Sequence, residues 1–294
     1  MPTPSAEELK VYLDYTQAEL DRAYDQRAWV GNADEILRGY SDESASIRAQ
    51  MRHRRDVPYG PGDDERLDIY PPAATGAPIH VHIHGGSWRF RNKDDGALMA
   101  PRFVAAGAAL VAPDFSLIPK ARIPDMIDQL RRALAWVYAN AESFGGDRDN
   151  IHLSGHSSGA HLAGVLLTTD WQAMGLPADL IKTGLLMSGM YDLRPVMLSA
   201  RSDYVKLSAA EVLELSAILH LERINAPILL AYGTAETPEF QRHPQTFAAA
   251  LRATGKSVET LVVEEANHFQ MLQEAGSPDS PLSSAAVAMM GLGG

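Results

Sequence analysis

The chain has 294 residues, 46% of them hydrophobic and 21% charged, with 37 acidic against 26 basic residues and a formal net charge of −11. That balance argues against a nucleic-acid partner, which needs a clustered surplus of Lys and Arg. With no cysteine, disulfide scaffolds, thiolate metal sites and thiol nucleophiles are excluded together.

The N-terminus, Met1-Pro2-Thr3-Pro4-Ser5-Ala6-Glu7-Glu8, has neither a basic start nor an apolar core, so it does not read as a signal peptide. No stretch approaches the roughly 18 continuous apolar residues that a membrane span requires. The expectation is a soluble, cytoplasmic protein with no membrane partner, and a length that one domain over 1–294 accommodates. Residues 5 to 50 are acidic and Ala-rich, with Leu9, Val11, Tyr12, Tyr15 and Leu20 at helical spacing, and predict an N-terminal helical segment reaching to about residue 55. The one compact basic run, Arg52-His53-Arg54-Arg55, reads as a solvated turn before the first strand.

From Asp56 the texture changes. Arg66 to Tyr70 alternates like a strand, and Pro71-Pro72-Ala73-Ala74-Thr75-Gly76 reads as a turn. Short apolar runs then predict strands at Ile79 to His84, Ala108 to Ala112, Ile151 to Ser154, Leu185 to Met187, Ile228 to Tyr232 and Val258 to Val263. Helical patterns fall between them near 122–143, 158–168, 208–219 and 238–254. The first of these carries the stripe Ile127, Leu130, Leu134, Val137 and Tyr138 and is stopped by Gly145-Gly146. Strands alternating with helices imply an α/β protein with a mostly parallel central sheet flanked by helices. The stretch 191–222 interrupts the alternation and reads as a small helical cap insertion. Gly276 to Pro281 links a last short helix.

The strongest chemical signal is Ile151 to His161, a strand running into Gly155-His156-Ser157-Ser158-Gly159 and then a helix. A Gly-x-Ser-x-Gly turn in that context forces the serine into a strained conformation at a helix N-terminus, and glycines are needed two residues to either side because side chains would collide there. Ser157 is therefore the candidate nucleophile of an α/β-hydrolase fold. His84-Gly85-Gly86-Ser87-Trp88 closes a strand about 70 residues earlier and suits an oxyanion hole, with donors from Gly86, Ser87 and the N–H of Ser158, and Gly85 serving the turn. The competing reading is an ordinary Gly-Gly turn.

The chain order of this fold is nucleophile, acid, histidine. His268, just after the strand ending at Val263, fits as general base. His156 and His161 flank the nucleophile but point elsewhere, and His220 and His243 fall on predicted helices. The acid should close the strand Ile228 to Gly233, where Glu236 is the first carboxylate; Glu239 is its rival, readable instead as a helix N-terminal charge. His80, His82 and His84 alternate on one strand face and raise a metal site, but with no carboxylate at ligand spacing the reading is packing and no metal. Trp88, Tyr191 and Phe269 are candidates to line an acyl or aryl pocket, with core packing as the alternative.

Taken together, His84-Gly85-Gly86-Ser87-Trp88, Lys93-Asp94-Asp95, Gly155 to Leu162, Ser188 to Pro195, Glu236 to Arg242 and Asn267-His268-Phe269 resemble the kynurenine formamidase (arylformamidase) branch of α/β-hydrolases, close to the esterases that resemble hormone-sensitive lipase. The resemblance covers most of the chain. It implies an eight-stranded sheet, a triad of Ser157, Glu236 and His268, no cofactor, and hydrolysis of a small-molecule carboxylic ester or N-formyl or aryl amide through an acyl-enzyme. A homodimer accords with such enzymes. Two positions depart from the pattern: Ser87 stands where an aromatic residue is common, and Ser158 where alanine is common. The alternatives are a general short-chain carboxylesterase and, from a different class, a non-catalytic small-molecule receptor on a hydrolase scaffold.

Overall fold

The computed structural model describes residues 9–293. The readings made on residues 1–8, including the start of the N-terminal helical segment, lie outside the described residues. Within 9–55 the prediction of helices alone is corrected. A small antiparallel hairpin, β1 (Lys10–Tyr12) and β2 (Tyr15–Thr16), precedes the helices Gln17–Ala23 and Ala33–Gln50. The apparent stripe dissolves accordingly: Leu9 and Val11 are exposed on or beside the hairpin, and only Leu20 enters the core. Thr16 and Glu19 form a capping box, which explains why the helix starts at Gln17.

Eight strands form the main sheet: β3 (Arg54–Pro58), β4 (Arg66–Tyr70), β5 (Ala77–Ile83), β6 (Ala109–Pro113), β7 (Gly146–His156), β8 (Ile181–Met187), β9 (Ile228–Gly233) and β10 (Val258–Val263). Their order is β10-β9-β8-β7-β5-β6-β4-β3, parallel throughout except for the antiparallel pairings of β6 with β4 and β4 with β3. This is the α/β-hydrolase sheet. The basic run is not a turn, because Arg54 and Arg55 open the edge strand β3. That strand is mostly exposed and irregularly paired, which is why an apolar-run criterion passes over it.

Apolar clusters fill both faces of the sheet. On one face Ile79, Val81, Ile151, Leu153 and Leu230 meet Ile127, Leu130, Leu134 and Val137 of the helix Ile123–Asn140. On the other face Leu110, Leu185, Met187 and Leu229 meet Phe103, Met271 and Leu282. Gly145, at φ 88°, closes the turn after Ile123–Asn140, whereas Gly146 already belongs to β7. The insertion at 191–222 contains the short helices Leu193–Leu198, Ser202–Val205 and Ala209–Glu214. Helices the sequence reading left unassigned are Ala100–Ala105 and Met271–Gly276, while Pro281–Met289 follows the predicted linker. Among the described residues, no helix is long and apolar enough to cross a membrane.

Candidate active site

Ser157 sits between the end of β7 and the helix Ser158–Leu167 with φ 57° and ψ −122°. A non-glycine residue in that region carries strain of order 1–3 kcal/mol, held only where the surroundings over-determine it. The surroundings do so by close approach. A Cβ on Gly159 would lie 2.2 Å from the Ile83 carbonyl oxygen, and one on Gly155 would lie 2.3 Å from the Gly159 carbonyl oxygen. The helix can thus press its first turn against β5 and β7 only with glycine at both positions, and this aims the Ser157 side chain toward the loops beyond the strand ends.

Two of those loops bring His268 and Glu236 to it. Ser157 Oγ lies 2.8 Å from His268 Nε2, and His268 Nδ1 lies 2.7 Å from Glu236 Oε2. A carboxylate accepts at Nδ1, so the proton of the neutral imidazole sits there and Nε2 presents its lone pair to the serine hydroxyl. The other carboxylate oxygen, Oε1, accepts from the Gly233 N–H at 2.8 Å and from the Ser188 hydroxyl at 2.6 Å. Burial pushes the Glu236 carboxyl up from the usual range, opposed by those two donors. Burial pushes the His268 imidazole down, with the positive charge of Arg201 acting in the same direction. The imidazole therefore rests neutral, ready to accept a proton.

The loop that holds His268 is itself tied down. The His156 ring, kept neutral by burial with its pKa lowered to about 3, donates from Nε2 to the His268 carbonyl at 2.9 Å. Asn267 Oδ1 accepts from the N–H of Phe269 and of Gln270. The rival acid Glu239 is committed elsewhere: its two oxygens form a fork with Arg242 at 2.8 Å each, and it takes a bond from the Tyr24 hydroxyl.

The loop after β5 folds back through consecutive positive-φ residues, Gly86, Ser87 and Trp88. At Gly86 a Cβ would lie 2.0 Å from the Phe90 carbonyl oxygen, so this turn requires glycine. The Gly86 carbonyl accepts from the N–H of Arg89 and Phe90, while the Trp88 N–H donates to Ser158 Oγ at 3.2 Å. Among the described residues, the N–H groups of Gly86, Ser87 and Ser158 have no acceptor. Ser158 thus meets this loop with its side chain, a use of the departure from alanine that the motif alone does not disclose.

The catalytic-side face opens on a cavity of about 400 Å³ whose wall includes Gly85, Gly86, Ser87, His156, Ser157, His268 and Phe269. Part of the remaining wall comes from distant sequence. Tyr24, Asp25 and Tyr40 come from the N-terminal segment, and Ala200, Arg201 and Tyr204 from the 191–222 insertion. Trp88 and Tyr191 do not line it, which corrects two of the three aromatic candidates. Trp88 is buried with its indole N–H on His161, and Tyr191 is stacked on Phe247 at 4.5 Å. Only Phe269 faces the cavity. The sequence reading named none of Tyr24, Tyr204, Arg201, Ser188 or His156 for the site.

His80 and His82 both reach one buried hydroxyl, Ser154 Oγ, at 2.7 and 2.8 Å, and His84 turns its Nδ1 to the Gly85 carbonyl. Among the described residues no group of three or more His, Asp or Glu side chains is arranged to hold a metal ion. Lys93, one of the motif residues, is buried in ion pairs with Asp56 and Asp68, while Asp95 pairs with Arg91 in the cavity wall.

Comparison with known proteins places the chain among hydrolases. The BD-FAE family model matches residues 67–180, and the prolyl oligopeptidase family model matches residues 128–280, about half of the chain. A kynurenine formamidase from Salmo salar is 30% identical over 95% of this chain and 98% of its own length. An isoprenylcysteine alpha-carbonyl methylesterase from Arabidopsis thaliana is 24% identical over 80% of this chain and 61% of its own length. Among solved structures, a protein of Silicibacter sp. tm1040, provisionally assigned as a thioesterase, superimposes with a TM-score of 0.80 at 26% identity, covering 93% of this chain and 99% of its own. The chain is a hydrolase that belongs to the kynurenine formamidase family and, through residues 128–280, to the wider prolyl oligopeptidase family.

Proposed function

We propose that the protein is a serine hydrolase that cleaves the N-formyl amide of an arylamine, with N-formylkynurenine as the reference substrate. The observation that carries the serine-hydrolase reading is the buried chain of contacts from Glu236 through His268 to Ser157, at 2.7 and 2.8 Å; the formamide is suggested by the likeness to kynurenine formamidase. Nucleophile, base and orienting carboxylate stand within hydrogen-bond reach of one another, as nucleophilic acyl transfer requires.

In this mechanism His268 Nε2 takes the Ser157 proton as Oγ attacks the carbonyl carbon. The resulting oxyanion is received by the free N–H groups of Gly86, Ser87 and Ser158, the last at the N-terminus of a ten-residue helix whose dipole favours negative charge. His268 then gives its proton to the leaving amine, and the C–N bond breaks to leave formyl-Ser157. Water, deprotonated by the same imidazole, attacks the acyl-enzyme and releases formate. Glu236 holds the imidazole tautomer throughout and stabilises the imidazolium. The aromatic wall formed by Tyr24, Tyr204 and Phe269 suits an aryl group on the leaving side.

The formamide reading is tested by kcat/KM on N-formylkynurenine against p-nitrophenyl acetate and butyrate, with Ser157→Ala as the blank. The ester is the intrinsically easier bond, so a kcat/KM at least about tenfold higher for the formamide requires binding energy directed to it. That is the expected result. Fast ester turnover with negligible formamide hydrolysis would make the protein a short-chain carboxylesterase and would direct attention to Ser87, where an aromatic residue is usual.

A further inference from the structure

Arg201 is a buried charge that the proposed chemistry does not use. Its side chain comes from the 191–222 insertion, forms part of the cavity wall and is only 9% exposed. Nε and Nη2 both donate to the Tyr24 carbonyl, at 3.1 and 2.7 Å. The guanidinium lies 5.6–5.9 Å from the ring centres of Tyr24, Trp88 and Phe240. Among the described residues Nη1 has no oxygen partner; its hydrogen-bond contact is the Met190 sulfur at 4.0 Å.

A guanidinium removed from water is costly unless an anion or a full set of acceptors compensates it. Among the described residues Arg201 pairs with no carboxylate. Those around it are engaged elsewhere: Glu239 with Arg242, Asp192 with Arg194 and Asp95 with Arg91. The two other acidic residues of the wall accept backbone hydrogen bonds, Asp21 from Ala200 and Asp25 from Arg27. The side chain is therefore a positive charge fixed in direction by a carbonyl and an aromatic cage, beside the reaction centre, and without a protein counter-ion.

We propose that Arg201 is a specificity-determining residue that recognises a carboxylate carried by the substrate. The planar fork of a guanidinium matches a carboxylate, and the nearby Asp21 and Asp25 weigh against a dianionic group such as phosphate. The other wall arginine without a carboxylate partner, Arg89, is exposed and stacked over Tyr204, where water screens its charge. The inference deepens the hydrolase reading and rests on it.

The test compares paired substrates that differ only in charge. Leaving-group charge is probed with 3- and 4-acetoxybenzoate against the corresponding acetoxybenzamides, and acyl-group charge with mono-4-nitrophenyl adipate against 4-nitrophenyl hexanoate. In at least one pair, Arg201→Met should lose at least about tenfold more kcat/KM on the anion than on its neutral partner, mainly through KM, and Arg201→Lys should recover part of the difference. Equal losses on anion and neutral partner in every pair would overturn the proposal and leave Arg201 as a fastener of the Tyr24 carbonyl. Thermal melting of each variant identifies a folding defect, which the within-variant ratio removes from the comparison. If the wild-type protein hydrolyses none of the three pairs and no formamide, it is the hydrolase reading that fails instead.

Discussion

Replacing Ser157 by alanine should reduce kcat for any substrate by roughly 10⁵- to 10⁶-fold, down to the residual rate that an oxyanion hole and binding supply without a nucleophile. The size follows from the arrangement: His268 Nε2 faces this hydroxyl, so removing it leaves a base with nothing to activate. Ser158 follows Ser157 directly in the chain, and Ser87 lines the same cavity. Neither is positioned to substitute, because among the described residues neither hydroxyl bonds to His268, and Ser158 Oγ already receives the Trp88 N–H. The fold should survive. The substitution removes one hydrogen bond at the cavity, about 1 kcal/mol, and leaves the strained backbone to an L-residue of similar size. Activity measured alongside a melting curve checks both halves, and a variant that keeps more than about one per cent of the wild-type rate, against the loss expected for a triad serine, contradicts the assignment.

Glu236→Gln should cost on the order of 10³- to 10⁴-fold in kcat, although the side chain keeps its shape. The reason lies in the two donors that converge on one carboxylate oxygen. Gly233 N–H and the Ser188 hydroxyl both point at Oε1, so an amide in this position must put its oxygen there. Its NH₂ then faces His268 Nδ1. That nitrogen becomes an acceptor, the ring proton moves to Nε2, and the imidazole turns a donor toward Ser157 where the reaction needs a base. Glu239→Gln is the matched comparison: it breaks the fork with Arg242 and should lower the melting temperature with a far smaller effect on kcat. Comparable losses of kcat in the two variants would show that the acid has been misassigned.

Much of the fold is legible because buried parallel strands are nearly continuous apolar runs, as in Ile228 to Tyr232 and Leu185 to Met187, and because the helix Ile123–Asn140 repeats its apolar residues every turn. What escapes is polar or short. Strand β3 is an edge with a positive φ at Asp56 and a proline at its end, features that remove the strand signature. The hairpin at Lys10–Thr16 mimics helical spacing because its aromatic residues recur every three positions while turning on a strand.

The candidate reaction centre is legible for a related reason: each of its parts is a local motif at the end of a strand, and the order of strands in the sheet brings those ends together. The cavity is not local. Tyr24 and Arg201 lie 177 positions apart in the chain yet share two hydrogen bonds, and neither has a neighbouring motif to mark it. Proximity to a motif also misleads. Trp88 and Tyr191 flank motif residues, but the positive φ of Trp88 turns its ring into the core, and Tyr191 packs on Phe247.

The most direct test of the central claim, an activated Ser157, is reaction of the intact protein with a fluorophosphonate followed by peptide mass spectrometry. The account predicts one adduct per chain, on the peptide containing Ser157, and its loss in His268→Ala. A folded protein that remains unlabelled, or carries its adduct on another residue, would contradict it and return the cavity to the reading of a non-catalytic small-molecule receptor.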